Sequence, residues 1–239
     1  MFTIALIGPD GAGKTTIGRR LEHALPLPVK YVYMGVNFEA SNIMLPTTRL
    51  VMWSRRIRGK QVNMGGPPDL SKAKPKPKGL IKRVLAAAKS SLRLANQISE
   101  EWYRQLVVWS YQRRNFIVLF DRHFFIDYYA SDISGTNPHA TIFNRIHGWF
   151  LKHLYPRPDL VIMLDAPAEV LYARKQEGSV ELLERRRQDY LRIRNEVPRF
   201  AVVDVTRSED EVAREVTELI WSYYESKTGN RVAARNSRS

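Results

Sequence analysis

Five short apolar runs punctuate the chain, and the hydrophobic positions between them fall at helical spacing. The runs are Phe2 to Ile7, Val29 to Met34, Phe116 to Phe120, Leu160 to Leu164 and Phe200 to Val203. Continuous rather than alternating apolar runs predict strands buried on both faces, as in a parallel sheet. After the first run, Ile17, Leu21, Ala24 and Leu25 share one side of a predicted helix, and Arg19, Arg20 and Glu22 take the other. One long helix, or two in series, is predicted over Leu80 to Arg114. Leu80, Ile81, Val84, Leu85, Ala88, Leu92 and Ala95 form its apolar stripe, which Ile98, Trp102, Leu106 and Trp109 continue; the stripe reads as core-facing. Further helices are predicted over Thr141 to Leu154, Ala168 to Lys175, Val180 to Asn195 and Glu209 to Lys227. Gly35 to Thr48 and Phe124 to Asp132 read as irregular. Apolar strands alternating with helices predict an α/β fold of three layers: a five-stranded parallel sheet with helices on both faces.

Two segments break this alternation. Between Arg55 and Arg83, ten Lys or Arg residues face a single acid, Asp69, and Pro67, Pro68, Pro75 and Pro77 sit among them. Alternating prolines lock φ and remove donors, so residues of about 54–79 read as an extended basic insertion rather than a helix. Residues 228–239 are polar and basic and read as a disordered tail. Residues 1–227 then form a single domain.

The junction between the first strand and first helix carries the chemistry. Gly8-Pro9-Asp10-Gly11-Ala12-Gly13-Lys14-Thr15-Thr16 matches G-x-x-x-x-G-K-[ST], the P-loop pattern, in a strand–loop–helix context. Glycines bring backbone N–H groups close to phosphate oxygens, and the positive end of the following helix faces the same anion. Lys14 is expected to reach the β- and γ-phosphates of ATP, and the Thr15 hydroxyl to hold Mg²⁺. The fold is therefore expected to be of the P-loop NTPase type. Two further candidates stand at predicted strand ends: Asp121-Arg122-His123 and Asp165. Ligands bind outside the carboxyl ends of the strands in such sheets, which would gather these groups at one rim.

Composition narrows the partners. The chain has 239 residues and a net charge of +14, which suits a phosphate-rich substrate, a nucleic acid or an anionic membrane surface. It has no cysteine, which excludes a disulfide framework, a thiolate metal site and a cysteine nucleophile. No run approaches membrane-spanning length, and the N-terminus reads as a strand rather than a signal peptide, so a cytoplasmic location is expected, with peripheral attachment to a membrane through the basic segment as a variant. The five histidines show no zinc spacing, and His139, His147 and His153 read as surface or packing residues.

The sequence resembles the thymidylate kinases. The resemblance rests on the Gly8–Thr16 loop with an acid in its middle, on Asp121-Arg122-His123 after a hydrophobic strand, on Arg157-Pro158-Asp159-Leu160 leading to Asp165, on Ala173-Arg174-Lys175 and the charged helix to Tyr190, and on Val203-Asp204-Val205-Thr206. It implies a nucleoside-monophosphate kinase moving the γ-phosphoryl group of ATP to dTMP or a relative, with Mg²⁺. It assigns Gly8, Asp10, Gly11, Ala12, Gly13, Lys14, Thr15 and Thr16 to the donor loop, with Asp10 contacting the acceptor's sugar. It places Arg122 between donor and acceptor, gives Asp121 a role in orienting Mg²⁺-bound water or Arg122, and puts Arg174, Val205 and Thr206 beside the adenine. Residues of about 174–187 become a lid, whose acting cation is Arg174, Lys175, Arg185, Arg186 or Arg187. The family also often forms homodimers.

The acceptor half departs from the family pattern. Tyr33-Met34-Gly35-Val36-Asn37-Phe38 replaces the usual arginine-glutamate-proline-glycine segment, and the base-reading arginine has only the candidates Arg93, Asn96, Gln97 and Arg104. A pocket for a base is expected between Phe38, Phe124 and Tyr128. Two alternatives stay open. One is a related kinase for a sugar or glycolipid precursor; the other is a nucleic-acid- or membrane-binding regulator switched by ATP.

Overall fold

The computed structural model describes residues 1–35, 43–57 and 79–236. All five apolar runs are strands: β1 (Thr3–Ile7), β2 (Val29–Tyr33), β3 (Ile117–Asp121), β4 (Leu160–Asp165) and β5 (Phe200–Asp204). They form one all-parallel sheet in the order β2-β3-β1-β4-β5. The central strand β1 is buried along its whole length, as are β3 and most of β4. Strands covered on both faces take almost only apolar side chains, with Thr3 and Asp121 at strand ends the hydrogen-bonded exceptions in β1 and β3, which is why they read as apolar runs.

Alternate residues feed two cores. Ile4 and Leu6 of β1 point into one, with Ile17 and Leu21 from helix α1 (Lys14–Ala24), Leu171 from α6 (Ala168–Lys175) and Val216 and Ile220 from α8 (Glu209–Asn236). Ala5 and Ile7 point into the other, with Val108 from α3 (Leu80–Arg113), Phe124 to Ile126 from the short α4 (Phe124–Asp127) and Leu151 from α5 (Ile142–His153). Helices therefore cover both faces, as the alternation of elements predicts. At the start of β4, Asp159 accepts from the backbone N–H and hydroxyl of Thr3 at 2.9 and 3.0 Å, fixing β4 against β1.

Four local expectations are corrected. The stretch read as irregular before residue 48, and the front of the expected insertion, contain helix α2 (Pro46–Ile57). Its signal was present: a proline at the first helical position, followed by Leu50, Trp53 and Ile57 at i, i+3, i+7 spacing. The aromatic stretch after β3 is α4 followed by a π-helical turn over Tyr129–Ile133. Between Gly178 and β5, α7 spans Val180–Leu191 and a 3₁₀ turn takes Arg192–Glu196, where one continuous helix was predicted. The last helix continues past Lys227 to Asn236, through most of the expected tail. The remainder of the insertion, residues 58–78, lies outside the described residues.

The apolar stripe of α3 divides. Its C-terminal half packs on β3 and α5, burying Glu100, Glu101, Arg104, Gln105 and Val108. None of residues 80–95 is buried, so the front of the stripe is not core-facing.

Candidate functional site

The loop between β1 and α1 is shaped by close backbone approaches. Gly8 has φ +144°, and a Cβ there would lie 2.3 Å from the Leu164 carbonyl oxygen on β4; Gly11 has φ +90° and would meet the Leu171 carbonyl at 2.6 Å. Only glycine fits either position. Gly13 caps α1 in the left-handed conformation without a side-chain hydrogen bond. The first N–H groups of α1 thus keep the orphan donors and positive dipole end that suit an anion.

Lys14 is buried at this helix start. Its ammonium donates to the carbonyls of Gly8 at 2.7 Å and Pro9 at 2.8 Å, which leaves one of its three protons uncommitted. Burial, aided by the nearby Arg122 charge, lowers its pKa to about 8 against the opposing pull of Asp10 and Asp121. The Thr15 hydroxyl donates to Asp121 Oδ2 at 2.6 Å, and the Tyr31 hydroxyl donates to the same oxygen at 2.7 Å. The other carboxylate oxygen, Oδ1, is buried without a hydrogen-bond partner among the described residues.

Arg122, just past the end of β3, adopts φ +71°, a left-handed conformation unusual for an arginine. Its N–H still donates to the Leu6 carbonyl at 3.1 Å, holding the turn against β1. The guanidinium donates to Asp10 Oδ1 at 2.6 Å, while Arg186 from α7 donates to Asp10 Oδ2 at 2.6 Å. Burial pushes the Asp10 pKa up, but Arg122, Lys14 and Arg186 together outweigh it and hold the carboxyl below its ordinary value. Burial opposes the charge on Arg122, yet Asp127, Tyr190 and Asp10 more than compensate and raise its pKa. Arg122 Nε remains buried with no partner among the described residues. Strain and an uncommitted donor at one residue are features that collect at functional sites.

An open cleft of ≈ 230 Å³ adjoins the loop, lined by Gly11, Ala12, Gly13, Thr16, Arg174 and Val205 together with Arg207 and Glu209. Arg174 donates to the Val205 carbonyl at 2.7 Å across it, and the Thr206 N–H donates to Asp204 at 2.8 Å.

The rim thus brings together Lys14, Thr15, Asp121, Arg122 and Asp10, and places Arg174, Val205 and Thr16 beside them. Of the arginine triplet on α7, Arg186 reaches Asp10, and Arg187 is committed to Asp165 by a two-point contact at 2.6 and 2.9 Å. Asp121 pairs with Thr15 and not with Arg122. Of the residues expected to frame a base pocket, Phe124 is buried against Tyr155 and under Arg104, and the Tyr128 ring meets His147 edge-on at 4.9 Å. Phe38 lies outside the described residues.

Sequence reasoning missed two groups. Asp127 accepts from the Tyr190 hydroxyl at 3.0 Å, and burial raises its pKa. His147, expected at the surface or in packing, is clamped between Asp132 at 2.5 Å and Glu101 at 2.9 Å. Burial lowers the His147 pKa, but the two carboxylates outweigh it and raise it to about 9. No local pattern announces partners that lie 46 and 15 residues apart.

The chain matches no protein-family model, and no curated protein matches it at a significant level.

Proposed function

We propose that the protein is an ATP-dependent phosphotransferase whose donor site is the glycine loop. The observation that carries this reading is the convergence of six side chains from three distant parts of the chain. Lys14 and Thr15 stand at an uncapped helix start, Asp121 touches Thr15, and Arg122 and Arg186 meet on Asp10. Simple anion binding needs only the loop; a second acid and two arginines aimed across it suit a reaction that moves charge.

The residues present fit a divalent cation and a polyphosphate. Thr15 Oγ1 and the unpartnered Asp121 Oδ1 would hold Mg²⁺, the loop N–H groups and Lys14 the donor phosphates, and the cleft beside Arg174 the donor base. Mg²⁺, when bound, neutralises phosphate charge and aligns the donor oxygens. Asp10 keeps Arg122 and Arg186 in place until phosphate oxygens compete for them. In the transfer, an acceptor oxygen forms a bond to the γ-phosphorus as the bond to the ADP oxygen breaks. The two guanidiniums then offset the charge on the equatorial oxygens.

The resemblance proposes dTMP as acceptor. One observation favours a second reading, a sugar or another non-nucleotide acceptor. Among the candidates for reading a base, Arg104 is fully buried and donates to Glu100 at 3.0 Å and to the Gly35 carbonyl at 2.8 Å. Asn96 bonds Thr47 and Thr48, Gln97 bonds His147, and Arg93 is exposed. A hydroxyl acceptor must also lose a proton, which an ionised monophosphate need not.

The test is ADP release from ATP and Mg²⁺ across a panel of nucleoside monophosphates and sugars, with Lys14→Ala as the blank. Lys14-dependent turnover with dTMP establishes the first reading, and turnover with a sugar alone establishes the second. ADP release that is unchanged in Lys14→Ala for every acceptor would rule out both.

A further inference from the structure

The geometry points to a membrane-docking surface formed by α2 and the front half of α3, taking an anionic lipid bilayer as its partner. The front of α3, residues 80–95, spans about 24 Å at the helical rise, and none of its residues is buried; only Ala86, Ser90 and Leu94, on its inner side, are half-buried. Leu80, Ile81, Val84, Leu85 and Leu92 fall on an arc of about 140° around the helix, and Lys82, Lys89 and Arg93 occupy the adjacent arc. The apolar arc is centred about 160° away from Glu101, Arg104 and Val108, which face the domain in the same helix. The stripe therefore points away from the domain and meets no core among the described residues.

Helix α2 repeats the arrangement. Thr48 is buried and hydrogen-bonded to Asn96 of α3 at 3.2 Å, while Leu50, Trp53 and Ile57 share the outer face. Together the eight large apolar side chains of the two helices are between 57% and 77% exposed. Single exposed hydrophobics are ordinary; two adjoining helices each presenting a whole stripe are not.

Charge selects the occupant. The described residues of the two helices, 46–57 and 79–95, hold seven Lys or Arg and no acid, so half of the chain's net charge of +14 falls on them. A second copy meeting this face by two-fold symmetry would bring like charges together. Nucleic acid would satisfy the charge but offers no burial for leucine, isoleucine and valine. An anionic bilayer satisfies both: acyl chains take the apolar arc and headgroups the flanking cations, with tryptophan at the boundary. Among the described residues no helix is long and apolar enough to cross a membrane, so the element lies on the surface.

This inference is independent of the phosphotransferase reading. The full-length chain would be floated with vesicles of phosphatidylcholine plus phosphatidylserine, with vesicles of phosphatidylcholine alone, and titrated with single-stranded RNA. Partition to the anionic vesicles should exceed that to neutral ones at least about tenfold and weaken with salt. The Leu85→Ser/Leu92→Ser variant should lose about tenfold of that partition, as should Lys82→Glu/Lys89→Glu. These side chains are exposed, so thermal midpoint and circular dichroism should stay at wild-type values. Equal partition to both vesicles, or full binding by Leu85→Ser/Leu92→Ser, overturns the proposal. So does RNA binding without vesicle binding, or a dimer in light scattering that the same double variant dissolves while the parent ignores vesicles.

Discussion

If the glycine loop binds a nucleotide as proposed, burial of Lys14 makes that binding a proton-linked event. With a pKa of about 8 in the free protein, the amine is about nine-tenths charged at pH 7 and about one-quarter charged at pH 8.5. Phosphate oxygens beside it favour the ammonium and should return its pKa to the ordinary lysine value or above. Binding of Mg-ATP should therefore take up about 0.1 proton at pH 7 and about 0.75 proton at pH 8.5. Calorimetric titration in two buffers of different ionisation enthalpy reads this number directly. Lys14→Met keeps the apolar stem and removes the proton, so uptake should vanish. By the same populations, wild-type affinity should fall about thirtyfold between neutral pH and pH 9.5, while the variant is flat. The free chain carries the converse signature. A lysine whose folded pKa is depressed leaves the unfolded state binding more protons, so its contribution to stability rises as pH goes from about 8 towards 10.5, by at most about 3 kcal/mol relative to Lys14→Met. Proton uptake that does not grow with pH, or that persists in Lys14→Met, would refute the reasoning.

Three further outcomes are expected. Gly8→Ala would drive a Cβ against the Leu164 carbonyl, so it should cost about 2 kcal/mol or more in denaturant unfolding and lose nucleotide binding; a variant of parental stability would contradict the loop geometry. Arg122→Ala should lower kcat by about a hundredfold or more while ATP affinity, read by equilibrium titration, changes much less; a loss confined to affinity would make Arg122 a donor-binding residue. His147, with a pKa raised to about 9, contributes stability that is fully present below pH 6.5 and is lost as pH rises through 9, at most about 3 kcal/mol. Thermal midpoints of the parent should fall across that window and those of His147→Gln should not, so parallel pH profiles would count against the buried ion cluster.

Much of the fold was legible because its signals are local. Buried parallel strands need unbroken apolar runs, and each of the five was placed to within a residue or two of its observed ends. The glycine loop was legible for the same reason: tight backbone turns restrict residue type within a few positions, and Gly8 and Gly11 have no room for a side chain. Helix α2 was hidden because its stripe faces outward and lies next to a proline-rich basic segment, which drew the boundary too early. The α3 stripe was assigned to the core because periodicity reports that a face is apolar, never what that face meets.

Sequence alone determined the alternation of strands and helices, the anion-ready turn at the start of α1, and the concentration of positive charge between residues 46 and 95. Each follows from short-range rules of backbone geometry and side-chain solvation. Tertiary structure decided which distant charges meet. Asp10 is 112 residues from Arg122 and 176 from Arg186, yet holds both, and Thr15 finds Asp121 across 106. Burial then set which of those groups keep their protons, because desolvation depends on what packs around a side chain and not on its neighbours in the chain.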